Sequence, residues 1–310
     1  MNEFVARVHL NSDVQDKDFG RQKLIDFCLS NPQKQYLAIG WSCAHPNDRD
    51  ISSFSEFYDV VSTWCKENKK RIDTSINLFK ESKVNDLFWT RDLSGHYWIC
   101  RAKADPIAYR NDELDIGALL PVEAYQFQLE VPGQIKAAFN RINGGVAQRI
   151  YDKTILNYSK FVFNKCSGTN TYVIDTNMEG DIISYLPDFE LEELVISYIQ
   201  IQYDYYVLSN SIANKSTTIA IECEFMSRNI EQPKRAVVQV KGEKGEIDVS
   251  QYKTYIDKGY EIFFYSMNYK NRIKHDRIIY IERNDLLAFY QKYKVVLPES
   301  ITYWEDIFVL

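Results

Sequence analysis

The 310-residue chain is poor in the residues that build metal centres and cross-links. Its six cysteines, Cys28, Cys43, Cys65, Cys100, Cys166 and Cys223, include no CxxC pair, and only His9, His45, His96 and His275 accompany them. Neither a zinc site nor a disulfide framework is indicated, so the thiols read as structural ones in a reduced, cytoplasmic protein. The histidines lack a carboxylate, Ser or Cys partner at suggestive spacing and read as surface or core residues. No apolar run approaches the roughly 20 residues of a membrane span, and MNEFVARVHLNSD lacks the cationic-then-apolar order of a secretion signal. An excess of positive charge is missing too: with a net charge of −6, any nucleic acid must be met by a local basic face. KGEKGE at Lys241–Glu246 lacks the Gly spacing and the Ser/Thr of a phosphate-binding loop. There is no Gly/Ser-rich linker, repeat or low-complexity tract.

What is present is apolar and aromatic material, 45% and 14% of the chain, enough for two domains with cores of their own. FVARVHL reads as a strand, DFGRQKLIDFCLSN as a helix and YLAIGWS as a strand ending at Trp41. SSFSEFYDVVSTWCKENKK carries Phe54, Phe57, Tyr58, Val61 and Trp64 at helical spacing, a core stripe. NDLFWTRDLSGHYWICRAKADPIAY predicts a hairpin turning at Asp92–Gly95, and DIGALLPVEAYQFQLEVPG two further short strands. PGQIKAAFNRINGG predicts a helix closed by Gly144 and Gly145, and AQRIYDKTILNYSKFVFNK continues in helical spacing. The aromatic excess suits stacking on a nucleobase, including one flipped from a duplex, as well as core packing.

The succession IGWS (Ile39–Ser42), NDLFWTRDLSGHYWICRA (Asn85–Ala102), Tyr109 and PVEAYQFQLEVPG (Pro121–Gly133) resembles the PUA-like superfamily, to which EVE and YTH modules belong. The resemblance implies a compact β-barrel holding a modified base in an aromatic pocket, with Trp41, Trp89 and Trp98 as base-binding residues.

From Asp188 onward the order of elements becomes informative. DFELEELVISYIQIQ is an amphipathic helix with Asp188 as its expected N-cap; YYVLSNS, TTIAIECEFM and RAVVQVK are strands; SQYKTYIDKG is a helix stopped by Gly259. EIFFYSM and IIYIER are strands, and NDLLAFYQKY is a closing helix capped at Asn284 or Asp285. This is a mixed α/β core in which a three-strand meander is followed by a helical crossover. Strand alternation puts Glu222 and Glu224 on one face of IAIECEF, and Gln239 and Lys241 on one face of AVVQVK. Facing strands that give such positions to a carboxylate, an amide and an ammonium are making a site. Lys270, Arg272, Lys274, Arg277 and Arg283 form a basic run suited to backbone phosphates or to solvent.

Order and residues together resemble the PD-(D/E)xK nuclease superfamily, in particular Mrr-like restriction endonucleases, whose signature is an acid on the second strand and (E/Q)xK on the third. Glu222 takes the first position and Gln239-Val240-Lys241 the second. Alternation does not choose between Glu222 and Glu224; the gap after Thr217-Thr218 favours Glu222. An acid on the preceding helix, Glu192 or Glu193, completes the set, and Glu192 fits the family spacing better. The chain departs from the family in its Glu for Asp and in the absence of a preceding Pro.

The resemblance implies Glu222, Gln239 and Glu192 as metal ligands, Glu222, Gln239 and Lys241 as catalytic residues, and Mg2+, replaceable by Mn2+, as cofactor. The expected organisation is a PUA/EVE-like base-sensing domain at 1–135, a helical connection at 136–186 and a nuclease domain at 187–310. The implied function is a modification-dependent, type IV-like DNA endonuclease acting as a homodimer against phage or foreign DNA. Alternatives are a catalytically inactive nucleic-acid or protein interaction module and an RNA-cleaving abortive-infection effector.

Overall fold

The computed structural model describes residues 4–11, 17–141, 145–175, 180–212, 221–242 and 245–308. The chain is mixed α/β and divides into two compact units, 1–175 and 176–310.

In the first unit the strands are β1 (Val5–Val8), β2 (Gln35–Ile39), β3 (Leu87–Arg91), β4 (Tyr97–Ala102), β5 (Ile107–Asn111), β6 (Ile116–Gln126) and β7 (Ala147–Ile150). The helices are α1 (Lys17–Leu29), α2 (Phe54–Glu67), α3 (Thr74–Glu81), α4 (Gly133–Asn140) and α5 (Lys153–Ser167). One sheet runs β2-β6-β4-β3-β1-β7, with β5 also on β6. It curls into a half-barrel whose edges are β2 and β7, so the closed barrel expected from the sequence is not formed. Period-two alternation gives the sheet two apolar faces. Ala6, Val8, Leu37, Ile39, Phe88 and Cys100 pack with Leu24, Cys28, Phe57, Val61 and Phe79 of α1–α3. Tyr97 and Trp89, on the other face, meet Phe139 of α4 and Tyr158 of α5 at ring distances of 5.3 and 6.3 Å.

Three local readings change. First, Ile116–Gln126 makes one long strand rather than two. Pro121 fits within it because β6 pairs with β4 through residues 122–126 and with β5 through 116–119, and Pro121 falls at the switch, where no ladder N–H is required. Second, AQRI is β7, antiparallel to β1 with Val5 opposite Ile150, and α5 begins only after Asp152 caps the N–H groups of Thr154 and Ile155. Four residues are too few for periodicity to separate strand from helix. By its contacts the segment up to 175 clusters with the first compact unit. Third, the buried stripe of α2 is Phe54, Phe57, Val61 and Cys65, while Trp64 is 37% exposed. The expected turn at Asp92–Gly95 is present, with Asp92 Oδ1 accepting from the His96 N–H and Gly95 at φ +89°. Gly144 lies outside the described residues.

The second unit contains α6 (Ile182–Tyr185), α7 (Asp188–Gln202), β8 (Tyr205–Val207), α8 (Ser209–Ile212), β9 (Cys223–Ser227), β10 (Arg235–Val240) and β11 (Glu246–Asp248). It continues with α9 (Lys253–Asp257), β12 (Glu261–Tyr265), β13 (Asn268–Lys270), β14 (Ile278–Tyr280), α10 (Arg283–Tyr293) and α11 (Glu299–Phe308). The main sheet runs β14-β12-β10-β9-β8: β8, β9 and β10 form an antiparallel meander, and β12 and β14 continue parallel to β10. β10 and β12 are covered on both faces, which is why they read as nearly unbroken apolar runs. Val237, Ile262 and Phe264 pack with Ile247, Val249 and Tyr252. On the other face Phe263 meets Tyr203 and Tyr205, and Phe289 of α10 meets Tyr198 of α7.

β11 and β13 form a small parallel sheet that the sequence reading did not contain. Pro187 rather than Asp188 occupies the N-cap of α7, leaving Asp188 and Glu190 in the first turn, where the helix dipole favours negative charge. Glu282 takes the N-cap of α10, with Asp285 in its first turn. Thr217 and Thr218 lie outside the described residues. No described helix is long and apolar enough to cross a membrane.

Gly117 is the tightest point of the first unit: a Cβ there would lie 2.5 Å from the Gly40 carbonyl oxygen and 2.7 Å from Phe57 Cζ. Gly117→Ala is expected to destabilise the chain by about 1–3 kcal/mol through overpacking. Urea unfolding followed by far-UV circular dichroism measures this, and an unchanged midpoint would contradict the packing.

Candidate functional site

β10 lies between β9 and β12, and its last residues carry the polar groups. Val238 pairs with Cys223, and the Glu222 N–H donates to the Val238 carbonyl at 2.9 Å, which sets Glu222 across from Gln239. Gln239 Nε2 donates to Glu222 Oε1 at 2.9 Å and to the Val240 carbonyl at 3.0 Å. Its Oε1 accepts from the Tyr252 hydroxyl at 3.1 Å. The three side chains are buried at 9%, 1% and 4% exposure for Glu222, Gln239 and Tyr252. The amide orientation follows from its neighbours, because the reverse would set its oxygen against a carboxylate and a carbonyl. Burial, and then the charge of Glu222, push the Tyr252 phenol far above its ordinary value, which keeps it protonated as a donor.

Lys241 follows directly. Its N–H donates to the Tyr265 carbonyl at 2.9 Å, and its side chain is half-buried. A Cβ on Gly245 would lie 2.8 Å from Lys241 Cβ and 2.9 Å from Cδ, so the glycine lets the chain close over the lysine stem. Gly245 N–H donates to the Gly242 carbonyl at 3.0 Å and fastens that closure.

Glu222 and Glu224 have different partners. Glu224 stands opposite Val237 and takes a 2.8 Å salt bridge from Arg235, while Lys234 pairs with Glu261. The acids of α7 differ in burial. Glu190 is the buried one at 2% exposure, whereas Glu192 is half-buried and Glu193 exposed. Glu190 precedes Leu194 and Tyr198 by four and eight residues, so it sits on the apolar stripe, a signal available in the sequence. The first turn of α7 adjoins the end of β10: Asp188 Oδ1 lies 3.0 Å from where a Cβ on Gly242 would be.

The tryptophans do not form one pocket. Trp89 is fully buried, donates from Nε1 to Ser159 Oγ at 2.9 Å and packs on Tyr158; it is core, and no base reaches it. Trp41 follows Ile39, which pairs with Ala118, whereas Trp98 pairs with Gln126, so the two stand near opposite ends of β6. Trp41 adopts a left-handed backbone at φ 77° and packs edge-on against Trp64 at 5.4 Å. Trp98 donates to Asp92 Oδ2 at 3.0 Å and borders a cavity of about 170 Å³ with Gln22, Asp26, Asp92 and Ser94. Of the basic run, Lys270, Arg272, Lys274 and Arg277 are exposed; Arg272 pairs with Glu282, and Arg283 with Asp181.

Among the described residues no group of three or more His, Cys, Asp or Glu side chains converges on a metal position. The β9–β10 donors are a carboxylate, an amide and a main-chain carbonyl. The amide turns its NH2 group, not its oxygen, towards the other two, so the three oxygens converge on a hard cation only if the Gln239 amide reverses and gives up its Tyr252 bond. No family model, curated protein or solved structure matches the chain. Tyr252→Phe removes the donor to Gln239 and is expected to cost about 1–3 kcal/mol, the penalty for a buried acceptor left unmet. Equal urea midpoints for variant and wild type would show the bond to be energetically idle.

Proposed function

We propose that the chain is a Mg2+-dependent endonuclease of the PD-(D/E)xK type that acts on DNA carrying a modified base, in defence against phage or foreign DNA. The observation that carries the reading is the set Glu222, Gln239 and Lys241 at the ends of adjacent strands β9 and β10, in a sheet ordered antiparallel, antiparallel, parallel. Glu222 and Gln239, the latter once its amide reverses to bring its oxygen round, are the side chains that would hold the cation, with Glu192 as the helix acid. A bound divalent ion supplies a Lewis acid that lowers the pKa of a water and offsets charge growing on the scissile phosphate.

The chain's own residues do the rest. Gln239, fixed by Tyr252, holds the Glu222 carboxylate in one orientation. Lys241, with its stem confined by Gly245, presents an ammonium to a phosphate oxygen and stabilises the negative charge that develops there. In the first unit the Trp98 cavity offers an aromatic wall together with amide and carboxylate hydrogen-bonding groups, a combination suited to a flipped base. Cutting both strands with one centre per chain requires two copies, hence a homodimer on DNA.

A second reading, a catalytically inactive interaction module, is favoured by one observation: the Gln239 oxygen is already held by Tyr252 and a Glu222 oxygen by Gln239. Nicking of modified and unmodified plasmid DNA separates the two. The wild type is expected to cleave with Mg2+ and to stop with a chelator, and Lys241→Ala is expected to lose about 10²–10³-fold in rate, as for loss of one transition-state donor. Equal inertness of wild type and variant on every DNA substrate would favour the interaction module, while cleavage confined to a parallel RNA substrate would redirect the activity to RNA.

A further inference from the structure

The first unit buries a full positive charge that its described side chains do not neutralise. Arg7 of β1 has no exposed surface, and of its guanidinium only Nη1 is engaged, donating to the Gly145 and Val146 carbonyls at 2.5 and 3.1 Å. Nε and Nη2 find no hydrogen-bond partner among the described residues. These two nitrogens form the side-on edge of the guanidinium, whose parallel N–H bonds match two oxygens of a carboxylate or a phosphate.

The surroundings set the sign and size of the missing group. The Arg7 and Arg91 guanidinium carbons lie 5.9 and 5.6 Å from the Phe139 ring centroid, and the His9 ring meets the same phenyl edge-on at 5.0 Å. Burial, and then the charges of Arg7, Arg21 and Arg91, hold His9 down to about 4, and burial lowers Arg7 to about 10. The Arg7 and Arg91 guanidinium groups, gathered at one phenyl beside this half-buried imidazole, exceed what a single carboxylate balances. A dianionic phosphate answers both the unfilled fork and the surplus charge. A buried charge without its counter-charge costs several kcal/mol, whereas a fork closed on an oxyanion forms charge-assisted bonds.

We propose that Arg7, with Arg91 and His9 at the rim, forms an oxyanion site that takes a phosphate group, reached when the Phe139 ring turns aside. The site is independent of the nuclease reading, and the phosphate is either free, as inorganic phosphate or a mononucleotide, or part of a nucleic-acid backbone. The test is calorimetric titration of the full-length chain with inorganic phosphate, a 5′-mononucleotide and a short single-stranded oligonucleotide, alongside NMR titration of the His9 imidazole. The wild type is expected to bind at least one of the three, and saturation to raise the His9 pKa, because negative charge favours the imidazolium. Arg91→Gln and Arg7→Lys are each expected to weaken binding about ten- to hundredfold, the usual worth of a hydrogen bond to a charged group. Arg91 is only half-buried, so its variant keeps the test decisive if Arg7→Lys fails to fold. Binding of phosphate or the mononucleotide identifies a free ligand, and binding of the oligonucleotide alone identifies a backbone. No binding of any probe to the wild type, or unchanged affinity in Arg91→Gln with an unmoved His9, would overturn the proposal.

Discussion

One hydrogen bond, donated by the Gln239 amide near the end of the middle strand β10 to the Glu222 carboxylate just before β9, is buried beside an apolar core, and the residues around it keep it satisfied. A carboxylate this deeply placed is tolerated only with partners, since an unpaired buried charge is strongly destabilising. Gln239 supplies one partner and is itself fastened at both ends, by the Val240 carbonyl and by the Tyr252 hydroxyl. The connection after β10 delivers Tyr252 to the same face of the sheet, where Val249 and Ile247 pack beside it. Hydrophobic burial and polar satisfaction thus act on the same few residues.

The neighbouring charges are disposed so that they leave this bond alone. Arg235 is taken by Glu224 and Lys234 by Glu261 at the start of β12, so the cations at the beginning of β10 are paired away from Glu222. Lys241, beyond the last buried residue of the strand, has its stem confined by Gly245. The buried polar pair is thus flanked by an ammonium whose stem is confined.

Much of the second unit was legible in the sequence because its signals are long: the 15-residue helix α7, the apolar runs of β10 and β12, and the left-handed stop at Gly259. The pairing of Glu222 with Gln239 was legible only as a shared strand face; the register that sets them opposite each other depends on tertiary pairing. The burial of Glu190 is set by how α7 packs, although its place on the stripe with Leu194 and Tyr198 is visible in the sequence. In the first unit β7 escaped because four residues carry no period, and Trp89 because a tryptophan in a buried strand and one lining a pocket share the same sequence. β11 and β13, three residues each, pair in parallel across an intervening helix and strand, a contact that no local pattern announces.

The central claim is that Glu222, held by Gln239, is the anchor of a cation site. Calorimetric titration of Mn2+ into the full-length wild-type chain and into Glu222→Gln tests it without reference to turnover. The account predicts one ion per chain in the wild type and at least tenfold weaker binding in the variant, about 1.4 kcal/mol or more. Absence of Mn2+ binding in the wild type, or equal binding by the two proteins, would contradict it.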